Sequence, residues 1–280
     1  MNRLSAIALV LLVAGSASAA EKKFDRTFTV SPGGSLTVDA DSASVYVSGA
    51  DTNQVTVHMS ARGSDKDLAE TAFDAAQSGS GVNVTLRRGQ KSGWFNWRSW
   101  SGEQRIDVTV PKRYAIKVRT GGGGIELKNT VGPVDLRTSG GDVEARNVTG
   151  TVELRTSGGA IIADSIRGDL DADTSGGDVR VIHIDGKIKA NTSGGNVRCS
   201  LVGANREISA TTSGGDIELI LPRGTTGNVE ASTSGGDVKS ELPVTASTIK
   251  EGRLEGTLNG GGPSIYAHTS GGSIALRSEN

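Results

Sequence analysis

The stretch Leu170-Asp171-Ala172-Asp173-Thr174-Ser175-Gly176-Gly177-Asp178-Val179-Arg180-Val181 decides the fold. Apolar and charged residues alternate on both sides of a Gly-Gly pair. Period-two alternation marks a strand with one buried face, and the Gly pair marks a sharp turn between two such strands. The stretch is one copy of a repeat. Thr-Ser-Gly-Gly begins at Thr138, Thr156, Thr174, Thr192, Thr212, Thr233 and Thr269, and Thr120 opens the variant Thr-Gly-Gly-Gly. The steps from Thr120 to Thr192 are 18 residues each, the next two are 20 and 21, and the last is 36, which leaves room for Asn259-Gly260-Gly261-Gly262 as a degenerate copy.

The columns around the motif hold the same register. Four residues before each Thr stand Ile116, Val134, Val152, Leu170, Ile188, Ile208, Val229 and Ile265. Two before stand Val118, Leu136, Leu154 and then five alanines, from Ala172 to Ala267. Five residues after the Thr the column reads Ile125, Val143, Ile161, Val179, Val197, Ile217, Val238 and Ile274. Cys199 occupies the next inward column, which predicts a buried, inert thiol. Gly132, Gly150, Gly168 and Gly186 mark a second turn. Each coil therefore reads strand, Gly-Gly turn, strand, Gly turn. One coil cannot bury its apolar face, but stacked coils bury a continuous one. The prediction is all-β: a single β-solenoid, parallel β-helix-like, with about 18–21 residues per coil.

Composition fits a narrow interior. Gly contributes 40 of 280 residues and Phe, Trp and Tyr only 4, 3 and 3, so large rings cannot fill the coils. Six prolines and the absence of an every-third Gly exclude a Pro-rich linker and a collagen-like chain. Residues 1–20 read as a signal peptide: Arg3, the apolar run from Leu4 to Val13, and Ala17-Ser18-Ala19 before the cut. The run is too short to span a bilayer, and no later segment is long and apolar enough. The expected location is periplasmic or extracellular, at the cell surface. Without the leader, 29 Lys+Arg stand against 31 Asp+Glu with no basic stripe, which argues against nucleic acid.

Residues 21–110 lack the motif and read as an N-terminal β-rich capping region, ahead of a repetitive solenoid over 111–280. Strands are expected around Phe28-Thr29-Val30, Leu36-Thr37-Val38, Val45-Tyr46-Val47, Val55-Thr56-Val57, Val82–Leu86 and Ile106–Val110. Ser64 caps one short helix, predicted near 65–77, whose face carries Leu68, Ala72, Phe73 and Ala76. It is expected to cover one end of the stack. The carboxyl end stops after the last repeat strand with no cap of its own.

All three tryptophans lie in the segment 91–102. Trp94, Phe95, Trp97 and Trp100 are the candidate ligand contacts, because Trp faces stack on sugar rings. Packing back onto the solenoid is the competing role for the same rings. After the Gly pairs, Asp142, Asp178, Asn196, Asp216 and Asp237 form a column. Two readings apply: hydrogen bonds to the turn backbone, or a Ca²⁺ ladder; the first is preferred. Outward Arg119, Arg137 and Arg155, followed by Asp173, with Asp135, Glu153 and Asp171 opposite them, predict cross-coil ion pairs. No catalytic set, cofactor site or metal site is read from the chain. The repeated Thr sits at a turn, not on a flat face, which discounts ice binding.

The repeated Thr-Ser-Gly-Gly-Asp-Val, the lead-in Val110-Pro111-Lys112 and the closing Leu258-Asn259-Gly260-Gly261-Gly262-Pro263-Ser264-Ile265 resemble the bacterial putative-adhesin family of β-strand-repeat proteins, a domain of unknown function. The resemblance spans about residues 24–280 and implies an exported or envelope-associated β-solenoid. It supplies no catalytic residues, and the tryptophan-rich segment is not part of its pattern. The expected function is an adhesin-like, non-enzymatic binding or scaffold module of the cell envelope, with a glycan, another envelope component or a protein as partner. The alternative is a polysaccharide lyase or hydrolase using a solenoid face, which needs a cluster of carboxylates, or of Lys/Arg with bound Ca²⁺, lining a groove.

Overall fold

The computed structural model describes residues 20–88 and 102–279. The predicted leader, apart from Ala20, and the aromatic residues Trp94, Phe95, Trp97 and Trp100 lie outside the described residues. Strands hold 64% of the described residues and helix 2%, so the fold is all-β as expected. The chain divides into two compact units between Val131 and Gly132.

The first unit holds β1 (Ala20–Thr29), β2 (Ser35–Ala40), β3 (Ser44–Ala50), β4 (Gln54–Gly63), α1 (Asp65–Glu70), β5 (Thr71–Ser78), β6 (Gly81–Arg88), β7 (Glu103–Pro111), β8 (Ala115–Thr120) and β9 (Ile125–Val131). Its strands run β1-β4-β7-β3-β9 in one sheet and β8-β2-β6-β5 in the other. The coil β2–β3 lies between the coils β6–β7 and β8–β9, parallel to both. The outer strands β1, β4 and β5 join antiparallel.

The helix is shorter than predicted. Ser64 caps it as expected, its Oγ accepting the Asp67 N–H at 3.3 Å, but it ends at Glu70. Thr71–Ser78 instead pairs antiparallel with β6 from Thr71↔Arg88 to Ser78↔Gly81. That ladder satisfies a run of backbone groups that a lone helical turn would leave to solvent. The inward face is Thr71, Phe73 and Ala75, a period of two, while Ala72 and Ala76 are exposed. Tertiary pairing overrides the local helical pattern.

The second unit holds β10 (Val134–Thr138), β11 (Val143–Thr149), β12 (Val152–Arg155), β13 (Ile161–Arg167), β14 (Leu170–Asp173), β15 (Val179–Asp185), β16 (Ile188–Asn191), β17 (Val197–Leu201), β18 (Ile208–Thr211), β19 (Ile217–Leu221), β20 (Gly227–Thr233), β21 (Val238–Ser240), β22 (Val244–Lys250), β23 (Arg253–Leu258), β24 (Ser264–Thr269) and β25 (Ile274–Ser278). From β10 to β19 the coils stack parallel in sequence order, and the aliphatic columns stand in register: Val134↔Val152, Val152↔Leu170, Leu170↔Ile188. The inward residues of one coil, Val152, Leu154, Ile161, Ala163 and Ile166, are all fully buried. Cys199 lies between Val181 and Leu219, fully buried as its column predicts.

The last coils are out of order. The coil β24–β25 sits between β18–β19 and β20–β21. The carboxyl end is therefore an interior coil, and the hairpin β22–β23 pairs antiparallel beyond β20. The expectation of an uncapped final coil is corrected. Asn259-Gly260-Gly261-Gly262 is not a stacked turn either. It connects β23 to β24, with Asn259 Nδ2 donating to the Arg223 and Thr225 carbonyls at 3.1 and 2.9 Å. Buried Asn205 ties the crossing connections together: its Nδ2 donates to the Thr226 and Pro263 carbonyls, both at 3.1 Å, and its Oδ1 accepts the Glu207 N–H at 3.0 Å.

Candidate functional site

The repeated Thr is internal. Thr156, Thr174, Thr192 and Thr212 are all buried. The Oγ1 of each donates to the second Gly carbonyl of the preceding coil at 2.8 Å. In Thr156, Thr192 and Thr212 the same oxygen also accepts the N–H three residues on, at 3.3 Å. The motif is thus a coil-to-coil staple, and its hydroxyls are not available to a ligand.

The acidic column is also internal in its bonding. Asp142 Oδ1 accepts the Ala160 N–H at 2.7 Å, Asp178 Oδ1 the Asn196 N–H at 2.7 Å, Asn196 Oδ1 the Asp216 N–H at 2.8 Å, and Asp216 Oδ1 the Ser273 N–H at 2.7 Å. Each side chain caps the turn of the coil stacked on it. Among the described residues no His, Cys, Asp and Glu side chains gather as a metal-ligating group of three.

The outward charges form the ladder that the alternation predicts. Arg137 reaches Asp135 at 2.6 Å and Glu153 at 2.9 Å. Arg155 reaches Glu153 at 2.5 Å and Asp171 at 3.9 Å, and Lys189 reaches Asp171 at 3.2 Å. Each acid meets a cation on its own or a neighbouring coil. Hydrogen bonds to Asp135, ahead of the opposing desolvation, push the Arg137 guanidinium further up. The pairs are half-exposed, so each contributes at most about 1 kcal/mol.

Two concavities lie on the second unit. One, about 480 Å³, follows a corner that the sequence reading missed. Asn147, Ser165 and His183 have φ of 53, 59 and 57°. This left-handed residue adds one step to the alternation, so Ala145, Ala163 and Val181 are followed inward by Val148, Ile166 and Ile184. Asparagine tolerates that conformation, and Asn129 and Asn147, 18 residues apart, were the available signal. Along this corner His183 Nδ1 and Ser165 Oγ both contact Asp164 Oδ1 at 2.9 Å. Partial burial raises the Asp164 carboxyl, but these two bonds outweigh it and hold the group below its usual range. The other concavity, about 660 Å³, lies over β15, β17, β19 and β25. Arg198 and Arg277 share Glu218 there, at 2.5 and 2.9 Å. Both are open to solvent.

The remaining histidines have single partners: His58 bonds Asp25, and His268 Nδ1 lies 3.0 Å from Ser232 Oγ. Burial pushes the Cys199 thiol up to about 12, so it is not a nucleophile in the folded chain. No helix among the described residues is long and apolar enough to cross a membrane.

The first unit shows where the candidate aromatic segment joins the fold. Ala40 aligns with Leu86 and Thr120, and Val45 with Ile106 and Ile125. Five residue steps separate Ala40 from Val45 and Thr120 from Ile125, whereas twenty separate Leu86 from Ile106. Residues 89–101 therefore connect β6 to β7 at a corner that the adjacent coils turn in a few residues.

The chain is similar to a solved putative lipid binding protein from Parabacteroides distasonis, at 15% identity over 91% of this chain and 96% of that one, with a TM-score of 0.43. It is similar to a putative adhesin from Bacteroides fragilis, at 14% identity over 92% and 97%, with a TM-score of 0.36. A putative cell adhesion protein from Clostridium sporogenes gives 13% identity over 92% and 100%, with a TM-score of 0.30. No curated protein sequence matches the chain. The Toastrack DUF4097 family model matches residues 34–277, and the chain belongs to that family.

Proposed function

We propose that this protein is an exported, adhesin-like binding module of the cell envelope, with a rigid solenoid displaying the aromatic segment Trp94, Phe95, Trp97 and Trp100. One observation carries the reading: the corner between β6 and β7 spends twenty residue steps where its neighbours need five. A turn does not require that length, and the excess contains every tryptophan in the chain. Aromatic faces on an insertion anchored by two paired strands suit sugar rings of an envelope glycan. The leader at residues 1–20 supplies the route of export.

A non-enzymatic role fits the charge pattern. Glycan hydrolysis of the usual kind needs a carboxyl group held protonated beside a second carboxylate. The outward acids Glu153 and Asp171 are instead paired with Arg137, Arg155 and Lys189.

Binding of the purified chain to isolated envelope polysaccharide and peptidoglycan tests the proposal, with the triple variant Trp94→Ala, Trp97→Ala, Trp100→Ala beside it. The expected result is retained folding with binding reduced at least about tenfold, the loss of roughly 1.4 kcal/mol. Unchanged binding by the folded variant refutes the role of the segment. Product release from the polysaccharide on incubation refutes the non-enzymatic reading.

A further inference from the structure

The outer strands of the first unit are shielded. Lys22 Nζ donates to the Leu68 and Thr71 carbonyls at 3.3 and 2.6 Å, and Arg26 Nη1 donates to the Ala75 carbonyl at 2.7 Å. Gln77 Nε2 returns a bond from β5 to the Thr29 carbonyl of β1 at 2.9 Å. Phe24 and Phe73 meet edge to face with centroids 6.3 Å apart. Long cationic and aromatic side chains thus cover the edges of β1 and β5, a recognised protection of unpaired strands.

The outer strand β22 of the second unit is not shielded in this way. Among the described strands it pairs only with β23, leaving its other edge open. From Val244 to Ile249 it reads Val-Thr-Ala-Ser-Thr-Ile, with no charge and no proline. Thr245, Ala246 and Ser247 are exposed, and Ile249 is 78% exposed. A register shift between Ala246 and Thr248 is the one irregularity in its pairing. An open, neutral, β-prone edge with an exposed large apolar side chain is a template for strand addition.

We propose that β22 is an association edge, and that its occupant is the β22 of a second copy of this chain, paired antiparallel about a two-fold axis. Self-complementarity argues for that occupant. Antiparallel pairing sets the neutral run against itself, so no like charges meet along it. It also brings Lys250 at the end of one strand toward the start of the other, where the exposed Glu241 lies three residues before Val244. A two-fold interface needs only one patch on each copy. The pairing would satisfy the open backbone groups and cover Ile249. Its test changes no residue of 89–101, so it and the glycan test fail separately.

Sedimentation of the purified full chain over a wide concentration range tests the proposal. The expected result is a concentration-dependent dimer. The variant Ala246→Lys, Ile249→Lys is expected to weaken the dissociation constant at least about tenfold without changing the circular dichroism or the thermal midpoint of the monomer. A second arm keeps the test decisive if that variant misfolds. Single Cys variants at Thr245, Ser247 and Ile249, oxidised in the native state, should give cross-linked dimers, because Cys199 is buried and supplies no background. A wild-type chain that stays monomeric at every concentration overturns the proposal, and so does a folded lysine variant that associates as the wild type does.

Discussion

Gly158 and Gly159 are adjacent, identical in chemistry and both outside the left-handed region, yet alanine should have opposite effects at the two positions. A Cβ on Gly158 would lie 3.5 Å from the Gly140 carbonyl oxygen, an ordinary contact. A Cβ on Gly159 would lie 2.1 Å from the Gly141 oxygen, 2.4 Å from its carbon and 2.7 Å from the Asp142 nitrogen, all backbone atoms of the preceding coil. A carbon rests about 3.3 Å or more from a carbonyl oxygen, so the two coils must part by about 1 Å. Three of the bonds that cross this turn flank Gly159: Thr156 Oγ1 to the Gly141 carbonyl at 2.8 Å, the Ala160 N–H to Asp142 at 2.7 Å, and the Val143 N–H to the Ala160 carbonyl at 2.9 Å. Stretched by that amount, none remains a hydrogen bond. Losing all three, at about 1–2 kcal/mol each, gives about 3–6 kcal/mol for Gly159→Ala. Gly158→Ala should stay within about 1 kcal/mol of wild type, with a small gain from the stiffer unfolded chain. Urea unfolding followed by circular dichroism reads both. The expected outcome is a midpoint lowered by more than about 1 M for Gly159→Ala and little changed for Gly158→Ala. Equal midpoints for the two variants would refute the argument that close coil stacking selects the second glycine.

Three further outcomes follow from the same geometry. Thr192→Val keeps the shape but removes the bonds to the Gly177 carbonyl and from the Gly195 N–H; it should cost about 1–3 kcal/mol, and Thr192→Ser should recover most of that in the same urea series. Because burial holds the Cys199 thiol up at about 12, a thiol reagent at mildly alkaline pH should label the chain only after denaturation; native labelling at the denatured rate refutes the inert reading. Chelator treatment should leave the thermal midpoint unchanged, because Asp142, Asp178 and Asp216 already serve backbone N–H groups; a lowered midpoint would restore the calcium reading of that column.

The alternation around each Gly pair made the inward columns readable, because period two sends every second side chain to one face whatever surrounds it. The same logic made Cys199 readable as core and the Arg137–Glu153 pair readable as a ladder, since stacked coils place residues 18 apart side by side. The corner at Asn147, Ser165 and His183 was less legible. Its residue types differ from coil to coil, and only the slipped inward position of Val148, Ile166 and Ile184 betrays it. The helix reading failed beyond Glu70 because the partner of Thr71–Ser78 is β6, which local periodicity cannot register.

The sequence by itself determined the class of the fold: a repeat of two short strands and two glycine turns can bury its apolar columns only by stacking. It also determined which face is inward, and with it that Cys199 lies in the core. The order of the coils was decided by tertiary structure alone. The columns are nearly interchangeable, Ile208, Val229 and Ile265 all filling one of them, so any coil fits any slot in the stack. What places β24–β25 between β18–β19 and β20–β21 is long-range pairing, such as Ala210↔Ala267 and Ala231↔Ala267, together with the Asn205 bonds that hold the crossing connections. That choice also leaves β22 as an outer edge, because a carboxyl-terminal coil taken into the interior of the stack cannot cover its end.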